Sequence, residues 1–80
     1  MVRIIDGAHC NIVGPNVRKY RKLRGMSQQQ LANKLELLPV YICRGSISRV
    51  EDQTRTVTDF EVAGLAQVLG VSIAELFTQA

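Results

Sequence analysis

Arg44, Ser48 and Arg49 fall on the outer face of a short helical pattern, Arg44-Gly-Ser-Ile-Ser-Arg-Val-Glu51, which is too polar on that face to be buried. Across an apolar connection it follows a second such pattern, Ser27-Gln-Gln-Gln-Leu-Ala-Asn-Lys-Leu-Glu36. Two short helices almost back to back suit nucleic-acid recognition: one fixes the pair against the duplex, and the other offers donors to base edges in the major groove. The preceding charge points the same way. Arg18, Lys19, Arg21, Lys22 and Arg24 crowd into seven positions just ahead of the pair. Most such runs are solvated helix faces, and residues on successive positions do not share one stripe. Directly before a helix pair that needs it, phosphate contact by part of the cluster is the favoured reading, with Arg18 and Lys22 as candidates.

All ten Lys and Arg residues lie at or before Arg55, whereas Asp59, Glu61 and Glu75 carry the charge from Thr56 onward, so the two parts of the chain suit different surroundings although the net charge is only +3. Eighty residues allow one small domain and little room for an enzyme cleft with lids. A hydrophobic content of 46% with 5% aromatics favours a folded helical bundle over a disordered tail. No apolar run approaches the roughly 20 residues of a membrane span and no signal-peptide pattern is seen, so the cytoplasm is the expected compartment. Cys10 and Cys43 are too few and too far apart for a disulfide framework or a zinc finger, and read as thiols.

Residues 1–13 show no clean period and read as an arm or short extended segment, leaving 14–80 as the domain. A first helix opens at Pro15 and runs to about Leu23, with Val17, Tyr20 and Leu23 inward, and Gly25 stops it. Ser27 with Gln30 forms a capping box ahead of a second helix whose inner face is Leu31, Ala32 and Leu35. Leu37, Leu38, Val40, Tyr41 and Ile42 then surround Pro39 in a connection longer than the roughly three to four residues of a tight corner. The third helix, Arg44 to Glu51, turns Ile47 and Val50 inward and leaves Arg44, Gly45, Ser48, Arg49 and Asp52 outside. Thr58 and Glu61 make a second capping box before Phe60, Val62, Ala63, Leu65, Ala66, Val68 and Leu69, an apolar face broad enough for a central helix, closed by Gly70 at a left-handed position. Ser72 and Glu75 open a last helix carrying Ile73, Leu76 and Phe77.

Four stretches in this order, Val17-Arg-Lys-Tyr-Arg21, Gly25-Met-Ser-Gln-Gln-Gln-Leu-Ala32, Ser46-Ile-Ser-Arg-Val-Glu51 and Leu65-Ala-Gln-Val-Leu-Gly-Val-Ser-Ile-Ala-Glu-Leu-Phe77, resemble the Cro and phage-repressor family of helix-turn-helix regulators over residues 14–77. The resemblance implies an all-α, five-helix, lambda-repressor-like domain with its helix-turn-helix at helices 2 and 3. It also implies sequence-specific binding of double-stranded DNA by a transcriptional regulator, with repression the expected mode, usually as a homodimer on a two-fold operator with helix 3 as the recognition helix. By the same resemblance Gln28, beside Ser27 at the start of helix 2, bonds a phosphate and braces helix 3, aided by nearby backbone N–H groups. Arg44 and Gly45 fall at the first base-reading positions, and Ser48 and Arg49 follow one turn later. Thr54 and Arg55 match a loop that touches the DNA backbone. Arg21 and Glu51 match a structural ion pair.

Three positions depart from the family pattern. The connection from Glu36 to Ile42 resembles an expanded-turn branch; Gln53 stands where Gly commonly ends helix 3, suggesting a less sharply capped end; and Gly45 has no side chain with which to read a base. Specificity then rests on Arg44 and Arg49, with guanine O6 and N7 as the favoured target. Cys43, just before a helix N-terminus and next to Arg44, favours a thiolate open to oxidation, although a small residue at a helix entry is the simpler reading. Asp6, His9, Cys10 and Cys43 lack recognised zinc-ligand spacing, so no metal is expected. Asp59 and Glu61 read as capping and dipole groups rather than catalytic carboxylates. With no Ser, His and acid arrangement and no phosphate-binding Gly-rich loop, neither catalytic residues nor a cofactor is expected. Two other classes stay open: an antitoxin or phage adaptor that holds another protein through Leu37 to Ile42, and a small enzyme or metal-dependent sensor.

Overall fold

The computed structural model describes residues 8–78, which form α1 (Gly14–Leu23), α2 (Gln28–Glu36), α3 (Arg44–Glu51), α4 (Asp59–Leu69) and α5 (Ile73–Leu76), with no strand among the described residues. Residues 1–7 of the expected N-terminal segment, and residues 79–80, lie outside the described residues.

Local sequence sets the helix starts. Ser27, Thr58 and Ser72 each accept from the N–H three residues on, and Gln30, Glu61 and Glu75 accept from the cap residue's own N–H, so all three capping boxes form. The ends of α1, α3 and α4 share another device, a left-handed residue at Gly25 (φ 67°), Gln53 (φ 63°) and Gly70 (φ 70°). Paired backward bonds close each end; after α3 they run from Gln53 N–H to the Val50 carbonyl and from Thr54 N–H to the Arg49 carbonyl. The less sharply capped end expected at Gln53 is therefore not what forms. A non-glycine residue there costs about 1 kcal/mol of backbone strain. Two bonds offset it: Gln53 Nε2 donates to the Asn11 carbonyl and the Gln53 carbonyl accepts from Cys10 N–H, both at 2.9 Å.

In the packing, α4 lies against α1, α2 and α5, while α1 and α2 hold α3. Val17, Leu31, Leu35, Ile47, Val50, Leu65, Leu69 and Leu76 are almost wholly buried between them. Ala63, expected on the inward face of α4, is exposed, and two larger expected inward residues also face out: Leu23 is 65% and Phe60 81% exposed. Each of these two sits two positions, about 200°, from its helix's buried stripe, which runs through Val17 and Arg21 in α1 and through Val62, Leu65, Ala66 and Leu69 in α4. α1 and α3 approach so closely that a Cβ at Gly14 would overlap the Val50 carbonyl oxygen. Asn11 seals the same junction, its Nδ2 donating to the Val50 (3.0 Å) and Arg55 (2.8 Å) carbonyls and its Oδ1 accepting from Gly14 N–H (2.8 Å). Asn16, also buried, donates to the carbonyls of Leu76 and Thr78 and ties α1 to the end of α5.

The connection after α2 opens with a turn over residues 37–39. Pro39 prevents helix, and the Leu35 carbonyl accepts from both Leu38 and Val40 N–H. From there the chain alternates: Val40 packs on the core over Gly64, Ile42 is buried, and Tyr41 between them is 76% exposed.

Two ion pairs, both among the described residues, fasten elements together. Arg21 Nε and Nη2 clasp the Glu51 carboxylate at 2.6 and 3.0 Å, with side-chain exposures of 11% and 2%, and Nη1 donates to the Met26 carbonyl at 2.8 Å. Arg55 grips Glu61 in the same two-pronged way at 3.1 and 2.9 Å, nearer the surface.

Arg21→Ala strands a buried carboxylate and is expected to cost about 3 to 5 kcal/mol. Replacing the pair together, Arg21→Met with Glu51→Leu, is expected to cost less than either single change. Urea midpoints of the three variants check this; a double variant as unstable as the sum of the singles contradicts it.

The Arg55 bond is the largest cause holding the Glu61 carboxyl below its ordinary value of 4.5, against the opposing effect of burial. A depressed carboxyl adds stability that is present above the unfolded value and lost as pH falls through the folded one. Glu61→Gln keeps a residue that capping boxes accept but removes the charge. The variant is expected to be about 1 kcal/mol less stable at neutral pH, and the gap is expected to close as pH falls below 4.5. A gap that does not change with pH assigns Glu61 to capping alone.

Candidate nucleic-acid interface

Because Ile47, Val50 and Glu51 are buried, the opposite side of α3 carries Arg44, Gly45 and Arg49 into solvent, with Ser48 half-buried beside them. Arg44 and Ser48, and Gly45 and Arg49, are i, i+4 pairs, so all four expected base-reading positions share this face. Arg44 makes no side-chain hydrogen bond or ion pair among the described residues. Arg49 is different: its Nη2 donates to Ser46 Oγ at 3.2 Å, and Ser46 Oγ also accepts from the Cys43 thiol at 3.4 Å. Ser46 stands in the sequence only as part of a motif, yet it joins the helix entry at Cys43 to the Arg49 guanidinium. Its hydroxyl, then the backbone N–H groups of Ser46 and Gly45, pull the fully exposed Cys43 thiol below the usual thiol value, and the charge of Arg49 adds to this.

The start of α2 offers a different set of donors. The capping box uses the N–H groups of Ser27 and Gln30, leaving those of Gln28 and Gln29 as first-turn donors. Ser27 Oγ accepts from Gln30 N–H but still has its own hydroxyl hydrogen to give. Gln28 Nε2 donates to Glu51 Oε1 at 3.2 Å, so it braces the end of α3 from α2.

The basic cluster separates by role. Arg21 is in the buried pair, Arg24 Nε donates to the Leu69 carbonyl at the end of α4, and Lys19 Nζ sits 5.2 Å from the centre of the Tyr20 ring. Arg18 and Lys22 remain exposed, one turn apart on a single stripe. In the loop after α3, Thr54 Oγ1 donates to the Arg49 carbonyl at 3.3 Å, whereas both Arg55 Nη atoms are bonded to Glu61.

No three His, Cys, Asp or Glu side chains among the described residues gather as a metal site, and Asp6 lies outside those residues. No helix of the described residues is long and apolar enough to cross a membrane.

The sequence profile of the helix-turn-helix family matches residues 17–76. The control protein C.SmaI of Serratia marcescens is 40% identical over 68 residues, covering 85% of this chain and 75% of that protein. The restriction-modification controller protein C.AhdI from Aeromonas hydrophila superposes with a TM-score of 0.71 at 29% identity, covering 81% of this chain and 87% of that one. SinR, a master regulator for biofilm formation whose structure was solved in complex with DNA, gives a TM-score of 0.71 at 25% identity, covering 82% of this chain and 98% of that one. A five-helix body with an outward-facing donor row on α3, matched along most of its length by such regulators, belongs to the Cro/C1-type helix-turn-helix family and is a DNA-binding transcriptional regulator rather than an enzyme.

Proposed function

We propose that the protein is a sequence-specific, cytoplasmic repressor that acts as a homodimer on a two-fold site, with α3 of each protomer in a major groove. Arg44, Gly45, Ser48 and Arg49 form the base-facing surface, and Ser27, Gln28, Arg18, Lys22 and Thr54 the phosphate-facing one. Arg55, held by Glu61 through both Nη atoms, braces the loop and keeps N–H donors for the phosphate contact expected of it. The observation that carries the reading is Arg44, exposed and without a side-chain partner among the described residues, beside Arg49 on a helix face whose other side is locked into the core. Two of the relatives are described as control proteins, one of them of a restriction-modification system, and the same role is proposed here. Selection of bound fragments from a random DNA pool tests both the binding and the half-site spacing.

Arg44→Ala is expected to lose roughly 5- to 100-fold in affinity on the selected site and to relax preference at one base pair. Lys22→Ala is expected to weaken selected and scrambled duplexes alike and to reduce the slope of log affinity against log salt by about one. Equal losses for Arg44→Ala on both duplexes place α3 on the backbone instead of the bases.

A single eight-residue α3 reads few bases, which two protomers on one site remedy. Among the apolar residues near the C-terminus and in the connection after α2, the candidates for a dimer contact, Leu76 and Ile42 are spent on the protomer's own core. Phe77 with Ile73, or Leu37 with Tyr41, stay exposed for the partner. Sedimentation is expected to give a dimer, or two protomers per operator-length duplex; one protomer per duplex overturns this. If Leu37→Ser with Tyr41→Ser leaves both dimer and DNA binding intact, that patch serves a different protein, as in an antitoxin or phage adaptor.

A further inference from the structure

We infer that Arg49, not a side chain at position 45, serves the first turn of α3, with the bare backbone of Gly45 as its socket and the Ser46 hydroxyl as its positioning group. The inference rests on the proposed reading of α3 as the base-facing helix. Gly45 leaves a gap on the exposed face at a point where a reader is expected. Helical side chains lean toward the N-terminus, so a residue one turn later can cover such a gap. Arg49 does so: its Nη1 lies 4.0 Å from where a Cβ on Gly45 would stand. Its Nη2 donates to Ser46 Oγ at 3.2 Å, and that oxygen is held from the other side by the Cys43 thiol at 3.4 Å.

The donor count leaves the guanidinium able to read. A serine oxygen has two lone pairs, one for Arg49 and one for Cys43. Arginine has five N–H groups, so one bond to Ser46 leaves further donors for a base edge. Tethering before binding removes part of the side-chain freedom that would otherwise be lost in the complex. Arg44, which has no such tether among the described residues, keeps that freedom. The two arginines of one face thus differ in preparation, and the serine between them makes the difference.

The test measures affinities of Arg49→Ala, Ser46→Ala, Ser46→Thr, Gly45→Ala and Gly45→Leu on the selected duplex and on duplexes changed one base pair at a time, with circular dichroism to confirm folding. Arg49→Ala is expected to relax preference at one base pair by roughly 5- to 100-fold. Ser46→Ala is expected to relax the same base pair by several-fold with an unchanged salt slope, and to add nothing when combined with Arg49→Ala. Ser46→Thr, which keeps the hydroxyl, retains the preference. Gly45→Ala retains it too, since its Cβ stays at ordinary contact distance, whereas Gly45→Leu fills the socket and lowers it. If Arg49→Ala relaxes a base pair that Ser46→Ala and Gly45→Leu leave untouched, the positioning role is overturned while α3 still reads DNA. A further loss from Ser46→Ala in the Arg49→Ala background makes Ser46 a DNA contact in its own right and overturns it as well. No change of preference with Arg49→Ala or Arg44→Ala removes the base-reading role of α3 and this inference with it.

Discussion

Burying the Arg21 guanidinium and the Glu51 carboxylate takes two full charges out of water, and only close, well-aligned bonds between them return what hydration gave. Those bonds exist for one placement of α3 against α1. Glu51 is the last residue of α3, so fixing its carboxylate fixes the end of the helix and its rotation about its own axis. Gln28 from α2 bonds the same carboxylate, and Arg21 also holds the Met26 carbonyl in the turn between α1 and α2. Three helices are thus referenced to one side chain. With Ile47 and Val50 committed to the core, Arg44 and Arg49 face out because no other side is left to them.

The basic cluster of α1 shows how one run of like charge can be divided among tasks. Each side chain takes the partner its angular position reaches: a carboxylate in the core, a carbonyl at the end of α4, an aromatic ring, or water. Total charge is therefore a poor guide to how many cations can meet a polyanion. In the loop after α3, Thr54 is exposed and Arg55 is bonded to an acid, although the two are adjacent in sequence.

Sequence shows most plainly what neighbours in sequence decide. The three capping boxes, the helix stop at Gly25, the left-handed Gly70 and the inward pair Ile47 and Val50 each depend on residues within a turn or two, and all are as the pattern predicts. Leu23 and Phe60 were misjudged because hydrophobicity was counted without the helix angle. Asn11 and Asn16 gave no sign of their importance, since their bonds reach across 39 and 62 residues to carbonyl groups, which carry no side-chain signature. Ser46 was missed for a related reason: its role is visible only once Arg49 is seen lying back over Gly45.

The bonds from Asn16 to the carbonyls of Leu76 and Thr78 also bear on how the domain is made. α1, the first of the described helices, is pinned by residues some sixty positions later in the chain, and Leu76 fills the core beneath it. A nascent chain can form α2 and α3 with their caps while still attached to the ribosome, but α1 cannot seat fully until Thr78 has cleared the exit tunnel. Since α1 orients α3 through Glu51, the donor row of α3 is set in its final direction only when the last turn of the domain arrives. The surface is therefore completed as a whole rather than helix by helix, and a chain interrupted before Thr78 presents an unfinished one.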